Sequence, residues 1–142
     1  MHTTTHYPFL EETHTLFRCV SEHDFDTLAD LCDDDFGIVD LNEEGKNVVV
    51  DDRAGWENWF RTLFARLKAM NARTDTTIQD YQALQDGNLG YGVVKFRQHL
   101  YVGEHTFNFD CVATIIWKRV GDRWKESRWH CSLIKSDLPG AG

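Results

Sequence analysis

The pattern of apolar positions changes period partway along the chain. Leu10, Thr13, Leu16, Phe17 and Val20 recur at helical spacing, with Pro8 near the start, where its missing N–H costs little. A second short helix is predicted from Asp24 to Cys32, burying Phe25, Leu28, Leu31 and Cys32. It should stop at Asp33, Asp34 and Asp35, because acid at a helix C-terminus opposes the dipole. Residues 36–41 read as a short strand, 42–45 as a polar turn and 46–50 as a second, valine-rich strand. The best helix follows, capped by Asp51 or Asp52. Trp56, Trp59, Phe60, Leu63, Phe64, Leu67 and Met70 form its single apolar stripe.

Beyond Arg73 the alternation becomes two-fold. Strands are predicted over about 74–85, 89–102, 107–119 and 123–134, joined at Asp86-Gly87-Asn88, Gly103-Glu104 and Gly121-Asp122. Helices gathered on one side of an antiparallel meander make an α+β plan. Strands this long must twist and coil, which leaves a concave space at the open end of the sheet.

Alternation leaves the facing of two strands open. On the 89–102 strand, Tyr91, Val93, Lys95, Arg97 and His99 share one face, and Gly92, Val94, Phe96 and Leu100 the other. For the last hairpin, a two-residue turn at Gly121-Asp122 puts Trp117 on the face of Glu126. A three-residue bulged turn puts it with Ser127 and Trp129 instead.

Composition narrows the function classes. The 142 residues suit one domain spanning 1–142, with a core of about 9–134 and flexible tails. A net charge of −8 argues against a nucleic-acid partner. No apolar run is long enough to span a bilayer, and no secretory signal opens the chain, so a cytoplasmic protein without membrane attachment is expected. The cysteines, Cys19, Cys32, Cys111 and Cys131, read as small buried hydrophobes rather than a disulfide framework. The chain carries no HExxH, GxSxG, phosphate-loop or dinucleotide motif, so neither a metal nor a cofactor is expected.

Two local patterns carry a family resemblance. One is Asp24-Phe25-Asp26-Thr27-Leu28-Ala29-Asp30-Leu31 followed by Asp34-Asp35-Phe36. The other is Trp117, then Gly121-Asp122-Arg123-Trp124, then His130 and Ser132. With the element order, they resemble the SnoaL-like branch of the nuclear-transport-factor-like superfamily over residues 9–134. The second pattern is similar to the close of the calcium/calmodulin-dependent kinase II association domain. The resemblance implies a cone-shaped α+β fold that hosts isomerases, cyclases, dehydratases and non-enzymatic assembly domains.

It also implies candidate site residues. Asp40 falls where the ketosteroid isomerase branch carries its general base, although the positions of that branch's two oxygen donors fall on Leu16 and Ile115. Lys95 falls at a pocket arginine of the kinase association domain and would hold an acidic ligand as a point charge. The resemblance favours the bulged turn, with Trp117, Trp129 and Cys131 lining the cavity. Tyr91, Phe109, Trp56 and Trp59 complete the expected lining, and Arg128, His130 and Ser132 fall outside it.

The leading expectation is therefore a small-molecule-binding protein with its ligand in the cone. The alternatives are an isomerase, cyclase or dehydratase with Asp40 as base, and a non-catalytic dimerisation module. An open cavity holding Asp40 and a second polar group favours the enzyme; one holding Lys95 and no base favours binding. A homodimer is expected because a sheet face bearing Val94, Phe96, Val112 and Ile116, or its aromatic opposite, is too apolar to leave in water.

Overall fold

The computed structural model describes residues 7–41 and 46–137. The predicted turn at 42–45 and the tail beyond Asp137 lie outside the described residues. The elements are α1 (Leu10–Glu22), α2 (Phe25–Leu31), β1 (Cys32–Leu41), β2 (Asn47–Val50), α3 (Arg53–Ala69), β3 (Ala72–Asp86), β4 (Leu89–Val102), β5 (His105–Val120) and β6 (Arg123–Ser136). They form one sheet of order β2-β1-β6-β5-β4-β3, antiparallel except where β1 lies beside β6. This is the predicted α+β plan, with the helices packed on one face of a curved sheet.

Local chemistry sets the joints. The Asp24 side chain caps α2 by accepting from the Thr27 N–H, and Asp52 caps α3 by accepting from the Gly55 N–H at 2.7 Å. The three long hairpins close on two residues, with Gly87, Gly103 and Gly121 first and φ between 61° and 67°. A positive φ at that position matches the twist of the flanking strands and favours glycine.

The last hairpin resolves the open turn. Val120 pairs with Arg123 and Trp117 with Glu126, so the turn has two residues. Ile116 then pairs with Arg128, leaving Ser127 as an extra residue. The bulge exists, but five residues past the turn. The inward face of β6 therefore switches from Glu126 to Trp129, Cys131 and Leu133. Bulges of this kind bend a strand and strengthen its twist.

The second helix stops before the acidic run as predicted, but the strand that follows starts earlier than expected. α2 ends at Leu31, and Asp33, Asp34 and Asp35 lie within β1. Basic residues elsewhere in the sheet donate to two of them: Lys118 to Asp33, and Arg128 to Asp35. Arg53 of α3 donates to the carbonyls of Ala29, Cys32 and Asp33 at 2.7–3.1 Å and to Glu57 at 2.9 Å. These bonds satisfy the end of α2 and tie it to β1. Replacing Arg53 with Met is expected to lower the free energy of unfolding in urea by about 1.5–3 kcal/mol, whereas an Arg61→Met substitution on the exposed side of α3 should change it far less.

The inner face of the sheet reads in rows. Val94 pairs with Ala113 and Ala113 with Cys131; Phe96 pairs with Cys111 and Cys111 with Leu133. Helical Phe17 packs on Phe96, and Trp56 sits among Phe25, Phe36 and Phe60. Val94 and Phe96 are thus core residues, not part of an exposed face as expected. Their register partners fix the parity of β4 and turn Lys95 the other way.

Candidate active site

Where the helices and the curled sheet part, an open cavity of about 1030 Å³ remains. Its walls are largely apolar, including Phe17, Ile38, Trp59, Phe96, Phe109 and Leu133. Two carboxyl groups interrupt that lining away from its exposed rim, Asp40 and Glu126.

Asp40 faces inward because Phe36, Ile38 and Asp40 alternate along β1, and Ile38 pairs with Trp129. Its carboxylate accepts from the Leu41 backbone N–H at 2.7 Å and from the Trp129 indole N–H at 3.1 Å. Burial pushes its pKa up from 3.8 to about 6, against the pull of those two donors. At neutral pH it is mostly ionised, yet basic enough to take a proton.

Glu126 lies deeper, on the row of Trp117, and is 2% exposed. Its Oε1 lies 3.6 Å from the Cys32 thiol. Burial, with a smaller push from the Asp40 charge, raises its pKa from 4.5 to about 8, so it keeps its proton at pH 7. No cation is among the causes of either shift. Two acids in one cavity are thereby held in different states, a separation that assigns acid and base roles in general. Cys111 and Cys131 stand side by side in the same wall, and the Cys131 thiol is pushed up by that contact and by burial.

Among the residues singled out from sequence, Asp40, Trp129, Cys131, Trp56, Trp59 and Phe109 line this cavity. Three others do not. Trp117 is fully buried behind it, stacked on Phe9 with ring centres 5.8 Å apart. Lys95 is exposed and Tyr91 is 40% exposed, both on the opposite face of β4. The point charge expected for an acidic ligand is therefore not in the cavity. Glu126 was missed. The two-residue turn places it with buried Trp117, but that reading gave way to the bulged turn. Among the described residues no cluster of His, Cys, Asp and Glu could hold a metal ion, and no helix is long and apolar enough to cross a membrane.

An α+β cone with an open apolar cavity and a carboxylate in its wall defines a recognisable class of protein. A family model described as a SnoaL-like domain matches residues 12–136. The chain belongs to that family. No curated protein sequence matches it. Among solved structures, the β subunit of benzoate 1,2-dioxygenase from Burkholderia mallei is similar, with a TM-score of 0.78 and 14% identity, over 94% of this chain and 93% of that one. A calcium/calmodulin-dependent protein kinase II association domain-like protein from Xanthomonas campestris has a TM-score of 0.74 and 15% identity, over 97% and 99%. A hexachlorocyclohexane dehydrochlorinase has a TM-score of 0.73 and 15% identity, over 92% and 87%. At these identities the likeness establishes the shared fold.

Proposed function

We propose that this protein is an enzyme that moves a proton on a neutral, largely apolar small molecule, with Asp40 as the general base of an isomerisation, dehydration or related elimination. The observation that carries the reading is the Asp40 carboxylate in the wall of an open apolar cavity, fixed by the Trp129 indole N–H. A base is most effective when its pKa lies near the working pH, and burial moves Asp40 in that direction. The exposed position of Lys95 weakens the rival reading, passive binding of an acidic ligand. One chain of similar fold is named for dehydrochlorination, which is in keeping with elimination chemistry. The test is exchange of the α-protons of β-tetralone, a neutral cyclic ketone, in deuterated water. Wild-type protein should accelerate exchange, and Asp40→Asn should abolish the acceleration.

We also propose a homodimer through the outer sheet face. Val93, Val112 and Ile116 point there and are only partly covered within one chain. Light scattering at tens of micromolar should give twice the 16.5 kDa chain mass, and Ile116→Lys should return it to the single-chain value. A wild-type mass of one chain under those conditions contradicts the dimer.

A further inference from the structure

We propose that Glu126 acts as a neutral carboxylic acid at the floor of the cavity and recognises a ligand oxygen, so that the site takes a ketone-like molecule and rejects the matching carboxylate. The inference rests on the reading of the cavity as a proton-transfer site and names its substrate class.

The surroundings of Glu126 carry the argument. The side chain lines the cavity yet is 2% exposed, in a row whose neighbour on β5 is Trp117. The titratable and charged groups nearest it come from several elements. β1 supplies the Cys32 thiol and, nearer the mouth, Asp40. The Arg53 guanidinium of α3 is taken up by Glu57 and three backbone carbonyls. Lys125, next to Glu126 on β6, turns outward to Asp30. No cation is thus left to pair with a Glu126 carboxylate. An ionised carboxylate without a partner in apolar surroundings is so unfavourable that the group keeps its proton instead.

The retained proton has a direction. The Cys32 thiol lies 3.3 Å from the Leu28 carbonyl and 3.6 Å from Glu126 Oε1 and donates towards these oxygens, so it does not take up the Glu126 proton. A carbonyl oxygen entering the cavity is an acceptor for that proton. It would also find a donor that Leu16 and Ile115 cannot supply. A carboxylate reaching the floor meets the Asp40 charge, whereas Arg66, the one Lys or Arg in the lining among the described residues, stands at the exposed rim. The site is therefore selective by what it lacks as much as by what it offers.

The test uses a matched pair of probes, acetophenone and benzoate, titrated into isotope-labelled protein and followed at the Trp129 indole N–H resonance. At about pH 7 acetophenone should bind at least about ten-fold more tightly than benzoate, equivalent to about 1.4 kcal/mol. Its affinity should fall as the pH rises from about 7 to about 9.5, a range in which Asp40 is already ionised. Glu126→Gln keeps an N–H donor and should retain acetophenone binding while losing that pH dependence. Glu126→Leu should weaken acetophenone and narrow the preference to the part owed to the Asp40 charge. The proposal is overturned if benzoate binds as tightly, if acetophenone leaves the Trp129 resonance unmoved, or if Glu126→Gln keeps the wild-type pH dependence. A preference that Glu126→Leu leaves unchanged also overturns it, because the Asp40 charge alone would then explain the selectivity. The Asp40 base reading fails separately, through exchange rates that Asp40→Asn leaves unchanged.

Discussion

Replacing Glu126 with glutamine is expected to raise the free energy of unfolding at alkaline pH and to flatten its dependence on pH. In the unfolded chain the carboxyl releases its proton near its ordinary value of 4.5; in the folded protein it holds the proton to about 8. Between those limits the folded state binds more protons than the unfolded one, so stability falls as pH rises. The loss begins above about pH 4.5 and is complete above about pH 8. Its size is roughly 3–5 kcal/mol. Asp40 acts in the same direction over a lower window, from 3.8 to about 6. The carboxylates of Asp24, Asp30, Asp110 and Asp137 are held below their ordinary range by hydrogen bonds, from Arg side chains at Asp30 and Asp110. Their contribution has the opposite sign and is lost only as pH falls through and below the ordinary carboxylate range.

Wild-type protein should therefore be markedly less stable near pH 8.5 than near pH 5. Glutamine has nearly the shape of glutamic acid and does not titrate, so the variant should lose most of that fall and keep the part owed to Asp40. Urea unfolding at about pH 5, 7 and 8.5 measures both slopes. Parallel slopes for the two proteins would mean that Glu126 ionises freely in the folded state.

Periodicity was enough for the architecture. The helical stripe of α3, the three glycine turns and the two-fold alternation of β4 to β6 each come from local preferences that act within a few residues. What the sequence left open depends on pairing between distant strands. The parity of β4, and with it the side on which Lys95 stands, is settled by the partners of Val94 and Phe96 on β5. The facing of β6 depends on a bulge at Ser127 that has no glycine or other local marker. Choosing between two uniform registers could not find Glu126, because the strand uses one register near the turn and the other beyond it. The acidic run does follow the end of the helix as predicted, but the strand begins before it. That three aspartates can lie within a strand depends on Lys118 and Arg128, far away in sequence, pairing with two of them.

Asp40→Asn is expected to reduce catalysed α-proton exchange by about 10²–10⁴-fold, the range that a positioned general base contributes. The substitution is close to isosteric. An asparagine carbonyl can still accept from the Leu41 and Trp129 N–H groups, so the cavity should keep its shape while losing the Asp40 charge. Binding of a neutral ketone should persist, which separates loss of the base from loss of the site. The pH dependence adds a second signature. Because burial holds the Asp40 carboxyl at about 6, the wild-type rate should rise as pH increases through that value, not through the ordinary aspartate range.

The most direct test of the account is this exchange rate, measured for wild type and Asp40→Asn in deuterated water from about pH 5 to pH 7.5. The account predicts a wild-type rate that climbs with an apparent pKa of about 6 and an Asp40→Asn rate no faster than buffer alone. A variant as fast as wild type, or a wild-type rate equal to that of buffer, would contradict it.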